Sequence, residues 1–66
     1  MNAPKYPRPL DPAVAHWADG LNEADLEWFH ERAGIIEFDA GLNRADAEQR
    51  AREATERMQQ RRNAPD

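Results

Sequence analysis

The chain has 66 residues, no cysteine, 33% charged residues and a formal net charge of −4. That length allows one small domain, burying only about 60% of its unfolded surface, so stability rests on helix packing, oligomerisation or a bound partner. The missing cysteine removes disulfides and thiolate metal sites, and the acidic balance argues against non-specific nucleic-acid binding, which needs a basic face.

Residues 1–12 carry four of the five prolines, three of them within 1–11. Proline fixes φ and removes a donor, so this segment reads as an extended Pro-rich N-terminal arm. The spacings Pro4-x-x-Pro7 and Pro9-x-x-Pro12 match a ligand for an aromatic groove. The preferred reading is an arm that lays Tyr6 and Leu10 on the protein's own helices.

Asp11 before Pro12 is a cap-then-N1 pair, which predicts a short first helix over 12–19, ending at Gly20. At two turns it needs a surface for Val14 and Trp17. His16 receives no role.

The next segment, 22–40, holds three of the five aromatics. Asn22 is an N-cap, Asp25 a shortened capping-box acid, and Leu21 with Leu26 a hydrophobic staple. Gly41 stands where a left-handed C-cap glycine is expected. At about 100° per residue, Leu26, Phe29, Ala33, Ile36 and Ala40 form one apolar stripe, and Trp28, Ile35 and Phe38 a second, roughly opposite. Glu23, Glu27, His30, Glu31 and Glu37 lie between them on one side, Asp25, Arg32 and Asp39 on the other. Two stripes predict a helix packed on both sides.

Gly41-Leu42-Asn43-Arg44-Ala45-Asp46 repeats Gly20-Leu21-Asn22-Glu23-Ala24-Asp25. Two copies are too few for a solenoid. The repeat reads as one turn chemistry used twice, with a C-cap glycine and an N-cap asparagine. A third helix over about 44–60 follows. Its stripe, Ala47, Ala51, Ala54 and Met58, permits close approach to the Phe29 stripe in a helical hairpin. Asp46/Arg50, Glu48/Arg52 and Glu53/Arg57 have i,i+4 spacing, and Arg57, Arg61 and Arg62 suit the helix C-terminus. Residues 63–66 are expected to fray. The fold class is therefore all-α: a helical hairpin with a short leading helix over 12–62, and an arm.

Residues 31–48, from Glu31-Arg32-Ala33-Gly34-Ile35-Ile36-Glu37-Phe38-Asp39-Ala40-Gly41-Leu42 into the next capped helix, resemble a short helical element of small bacterial reading frames. Similar segments end some replication proteins of phages, plasmids and integrated elements. Gly34 stands for the usual alanine and Ala40 for the first of two glycines. The resemblance implies a mobile-element setting, in which small proteins serve as replication accessories or anti-CRISPR inhibitors.

Little catalytic chemistry is present. The chain has no serine and no cysteine, its one threonine is Thr55, and no glycine-rich phosphate loop exists. Glu27-x-x-His30 has the spacing of half a di-iron carboxylate site, which needs a second such pair and further glutamates, so a site would require a dimer. The preferred reading is a solvated acidic face with a surface histidine. The arginines of the third helix alternate with acids, the pattern of a self-paired face.

The expected function is a small non-enzymatic protein–protein interaction, with no cofactor. Trp28, Ile35 and Phe38 are the partner-binding residues. Glu23, Glu27 and Glu31 beside them favour a basic protein surface or a second copy of the chain. The alternatives are a dimeric metal-binding bundle using Glu27 and His30, or a nucleic-acid-associated regulator. The longest aliphatic run, Ile35-Ile36, is too short to span a membrane. With no apolar segment after the N-terminus, a cytoplasmic protein is expected.

Overall fold

The computed structural model describes residues 6–64 and contains three helices, α1 (Pro12–Asp19), α2 (Glu23–Ala40) and α3 (Arg44–Asn63), with no strand among the described residues. The arm up to residue 5, with Pro4, and the last two residues of the expected frayed tail lie outside the described residues. No helix of the described chain is long and apolar enough to cross a membrane.

Each helix starts on the side chain that its sequence offers. Asp11 accepts from the Ala13 N–H at 2.7 Å, Asn22 from the Asp25 N–H at 2.8 Å and Asn43 from the Asp46 N–H at 2.9 Å. Such caps satisfy donors that have no intrahelical partner. Gly41 adopts the left-handed conformation expected of it, at φ 66°. Gly20 does not, at φ −87°. There the chain tightens instead, with the Gly20 N–H bonded to the Trp17 carbonyl and the Leu21 N–H to the Ala18 carbonyl. The repeated motif thus shares its asparagine cap but not its glycine geometry.

α2 and α3 form the hairpin. Phe29 and Ala33 of α2, Ala51 of α3 and Val14 of α1 make a fully buried cluster, with Trp17, Leu21, Leu26 and Ile36 packed around it. Burying a phenylalanine contributes about 1.5–3 kcal/mol. Trp17 meets Phe29 edge-on at 5.2 Å, and the Arg52 guanidinium lies 5.2 Å from the Trp17 ring centre. α1 therefore closes the Phe29 side of the hairpin. It does not cover the second stripe, so the Ile35 and Phe38 side of α2 is open rather than packed. The molecule is a slab, 36 × 34 × 18 Å. Its thickness is less than two helix diameters of about 10–12 Å.

The buried line of α3 is Ala47, Glu48, Ala51 and Thr55. Ala54 and Met58, expected in that line, are half-buried, and Ala40 at the end of α2 is exposed. The line is rotated because α1 and the arm cover the Glu48 and Arg52 side of α3. Thr55 satisfies its hydroxyl by donating to the Ala51 carbonyl at 2.7 Å.

Charges decide how the ends are held. Arg62 makes a bidentate pair with the buried Asp25, both bonds at 3.0 Å, and Gln59 donates to the same carboxylate. The antiparallel hairpin sets the C-terminus of α3 beside the N-terminus of α2, and each charge also suits its own helix dipole. This clasp carries α3 to Asn63, beyond the expected end near residue 60. None of the three expected i,i+4 pairs forms among the described residues. The pairs along α3 are Arg44–Glu48 at 3.1 Å and Arg52–Glu56 at 3.7 Å.

Glu48 is 1% exposed. Its carboxylate accepts from Arg44 and from the Leu10 backbone N–H at 2.9 Å. Arg8 adds a bidentate pair to Asp19 at 2.8 Å. The described arm thus lies on the protein's own helices. It is anchored by the Leu10 backbone, while the Leu10 side chain stays 65% exposed, contrary to expectation.

Two outcomes follow from this packing. Ala51→Glu places a charge in the closed seam and abolishes the thermal unfolding transition, whereas Ala54→Glu, at a half-buried position, leaves a cooperative melt. Equal losses in both variants on circular dichroism would contradict the seam. Arg62 and Gln59 hold the Asp25 pKa at about 2, below the usual 3.8. The clasp is therefore complete above pH 3.8 and is lost as pH falls through about 2. Asp25→Asn lowers the melting temperature at pH 7 and flattens its decline across that acid window.

Candidate functional site

The three expected partner-binding residues do not form one patch. Phe38 is 88% exposed and Ile35 48% exposed, while Trp28 is half-buried. Ile35 stands on a ridge of α2 between two grooves. Trp28 lines one and Phe38 the other.

The first groove, about 580 Å³, runs between α2 and α3. Trp28, Ile35, Ile36 and Ala54 supply its apolar lining. Arg32 holds its guanidinium 5.0 Å from the Trp28 ring centre, within cation–π distance. Arg50, Arg57 and Arg61 line the α3 side. The expected self-pairing of these arginines does not occur: none of the three side chains forms an ion pair or hydrogen bond among the described residues.

The second groove, about 680 Å³, lies between the arm and α2. Tyr6, His30, Gly34, Ile35 and Phe38 form its walls, with Glu31, Asp39 and Arg44 as the nearby charges. Gly34 sits in the middle of α2, where glycine costs about 1 kcal/mol relative to alanine. A Cβ built there meets nothing within 4 Å. The packing of the described residues therefore does not require the glycine.

The glutamate row is not a uniform flank to this surface. Glu23 and Glu31 are exposed and Glu27 is half-buried. Of the three, Glu31 alone lines one of these two grooves.

His30 is not a surface histidine. It is 6% exposed, stacked on Tyr6 with ring centres 4.7 Å apart, and edge-on to Phe29 at 5.0 Å. Its Nδ1 is buried, with no hydrogen-bond partner among the described residues. Among the described residues, no three His, Asp or Glu side chains gather closely enough to hold a metal ion. Burial and then the Arg44 charge push the His30 pKa down, and Glu48 opposes them.

Sequence reasoning missed the arginine row, although the spacings of seven and four from Arg50 to Arg57 and Arg61 put the three on one helix face. It also missed the burial of Glu48 and the open space beside Gly34. Nothing in the local sequence marks Glu48 as buried, because the arm covers it from 38 residues away.

The lowered His30 pKa sets a second pH dependence. Below pH 6.5 the unfolded chain takes up a proton more readily than the folded one, so stability falls as pH drops through that value. His30→Phe keeps an aromatic ring under Tyr6 and removes this loss. Urea titrations at pH 8 and pH 5 measure it, and equal declines in the two proteins would show that His30 titrates alike folded and unfolded. No protein-family model, curated protein or solved structure matches this chain.

Proposed function

We propose that this protein is a non-enzymatic docking protein, which binds another protein through the Ile35–Phe38 ridge of α2 and acts as an accessory or inhibitor. The observation that carries this reading is Phe38, almost fully exposed on a regular helix, with Ile35 one turn before it. Large apolar side chains grouped on a rigid face are how small proteins anchor in a partner's pocket. Gly34 supports the same reading. It lowers helix stability without serving the protein's own core, and a side chain of the partner fits the space it leaves.

The non-enzymatic part rests on chemistry. The one hydroxyl nucleophile of the Ser/Thr type, Thr55, is wholly buried and bonded to the Ala51 carbonyl. His30 is covered by Tyr6 rather than aimed at a nucleophile. The mobile-element setting rests on the resemblance of residues 31–48, a segment that contributes Gly34, Ile35 and Phe38.

Affinity capture from the source cell tests the proposal, with wild type, Phe38→Ala and Gly34→Ala run in parallel and the retained protein then purified for calorimetry. Gly34→Ala is expected to gain about 0.5–1 kcal/mol in stability and still bind at least about tenfold more weakly, a loss of about 1.4 kcal/mol. Phe38→Ala is expected to melt like wild type and lose the complex. Equal capture by all three proteins would overturn the reading. Self-association lost on Phe38→Ala in sedimentation would replace the partner with a second copy of the chain.

A further inference from the structure

We infer that the groove between α2 and α3 receives an acidic amphipathic helix of the partner, an inference that rests on the docking reading above. The first reason is charge. Four arginines line this groove against two acids, Asp39 and Glu53, in a chain whose net charge is −4. Arg50, Arg57 and Arg61 have no ion-pair partner among the described residues. Three unpaired cations on one helix edge repel one another, and an anionic partner relieves that repulsion.

The second reason is shape. At about 100° and 1.5 Å per residue, Arg50, Arg57 and Arg61 fall within about 20° of one line and span about 16 Å. Acids spaced by four and seven residues on a partner helix give a row of the same pitch. Between the arginine row and α2 the lining is apolar, from Trp28, Ile35 and Ala54. A helix with Leu, Ile or Phe at i, i+3, i+4 and i+7 presents a matching stripe, with its acids beside it.

A single nucleic-acid strand is the competing anion. Proteins that bind one offer aromatic faces for its bases. Trp28 is the aromatic residue of this groove, and the Arg32 guanidinium already lies over its ring. The remaining apolar lining, Ile35, Ile36, Ala40 and Ala54, is aliphatic, which suits leucine side chains better than bases.

A displayed library of random peptides about 16 residues long, four helical turns, tests the inference on the whole chain. The enriched peptides are expected to be acidic, with apolar residues at helical spacing. A representative peptide is then titrated by calorimetry. Arg50→Glu with Arg57→Glu is expected to weaken its binding at least a hundredfold and to keep the fold, since neither arginine is paired. Phe38→Ala is expected to change that binding less than twofold, because Phe38 lies outside the groove.

Enrichment of neutral or basic peptides, no enrichment, or equal binding by the charge-reversed protein would overturn the inference. So would an oligothymidine strand that binds more tightly than the peptide and is lost on charge reversal. A captured partner that depends on Phe38 but not on Arg50 and Arg57 would leave the docking reading standing and remove this one.

Discussion

Ala47 and Ala51 turn a side of α3 with no bulk toward α2, and the rest of the structure depends on that close contact. Because these positions carry only methyl groups, α3 approaches near enough for Phe29 and Ala33 to be sealed without a large core. A chain of this size cannot bury much apolar surface, so the fit of a few residues has to replace quantity. α1 then has one place to go. Val14 completes the cluster around Phe29, and Trp17 packs against its edge. The arm follows α1, held by the Arg8–Asp19 pair and by the Leu10 N–H on Glu48.

The buried charges are spread along this seam. Asp25 sits at the start of α2 and takes Gln59 and Arg62 from the end of α3. Glu48 sits near the start of α3 and takes Arg44 and the arm. A buried carboxylate is costly unless its lone pairs are used, so each also restricts which elements can lie beside it. In this protein the two acids fix the register of the hairpin and the path of the arm. Both hold chain segments more than 30 residues apart in sequence, and Asp25 ties down a helix end that would otherwise fray.

The same economy leaves one side of α2 open. α1 and the arm cover the Phe29 and His30 sides, and α3 takes the next face. Among the described residues, no further element covers Ile35 and Phe38. The ridge they form separates two different environments. Toward α3 the surface is apolar and cationic; toward the arm it is apolar, with a glycine gap under Tyr6 and Phe38. In the proposed docking role, the two grooves offer a partner two chemistries at once. That gives specificity beyond what an exposed phenylalanine alone provides.

The local signals were legible without the structure. Asp11, Asn22 and Asn43 marked the helix starts, Gly41 the left-handed turn, and the spacing of Phe29, Ala33, Ala47 and Ala51 the facing seam. These are matters of neighbours in sequence, so sequence determines them. Burial of polar groups was not legible, because it depends on what arrives from far along the chain. Asp25 read only as a capping acid until Arg62 reached it, Glu48 as half of an i,i+4 pair with Arg52 until the arm crossed it, and His30 as a surface residue until Tyr6 lay on it. The arginines of α3 read as self-paired because acids stood four residues away. Tertiary packing drew Glu48 inward, and Arg50, Arg57 and Arg61 stand without ion-pair partners among the described residues. A two-stripe helix announces two surfaces, and only the third dimension decides which of them is covered.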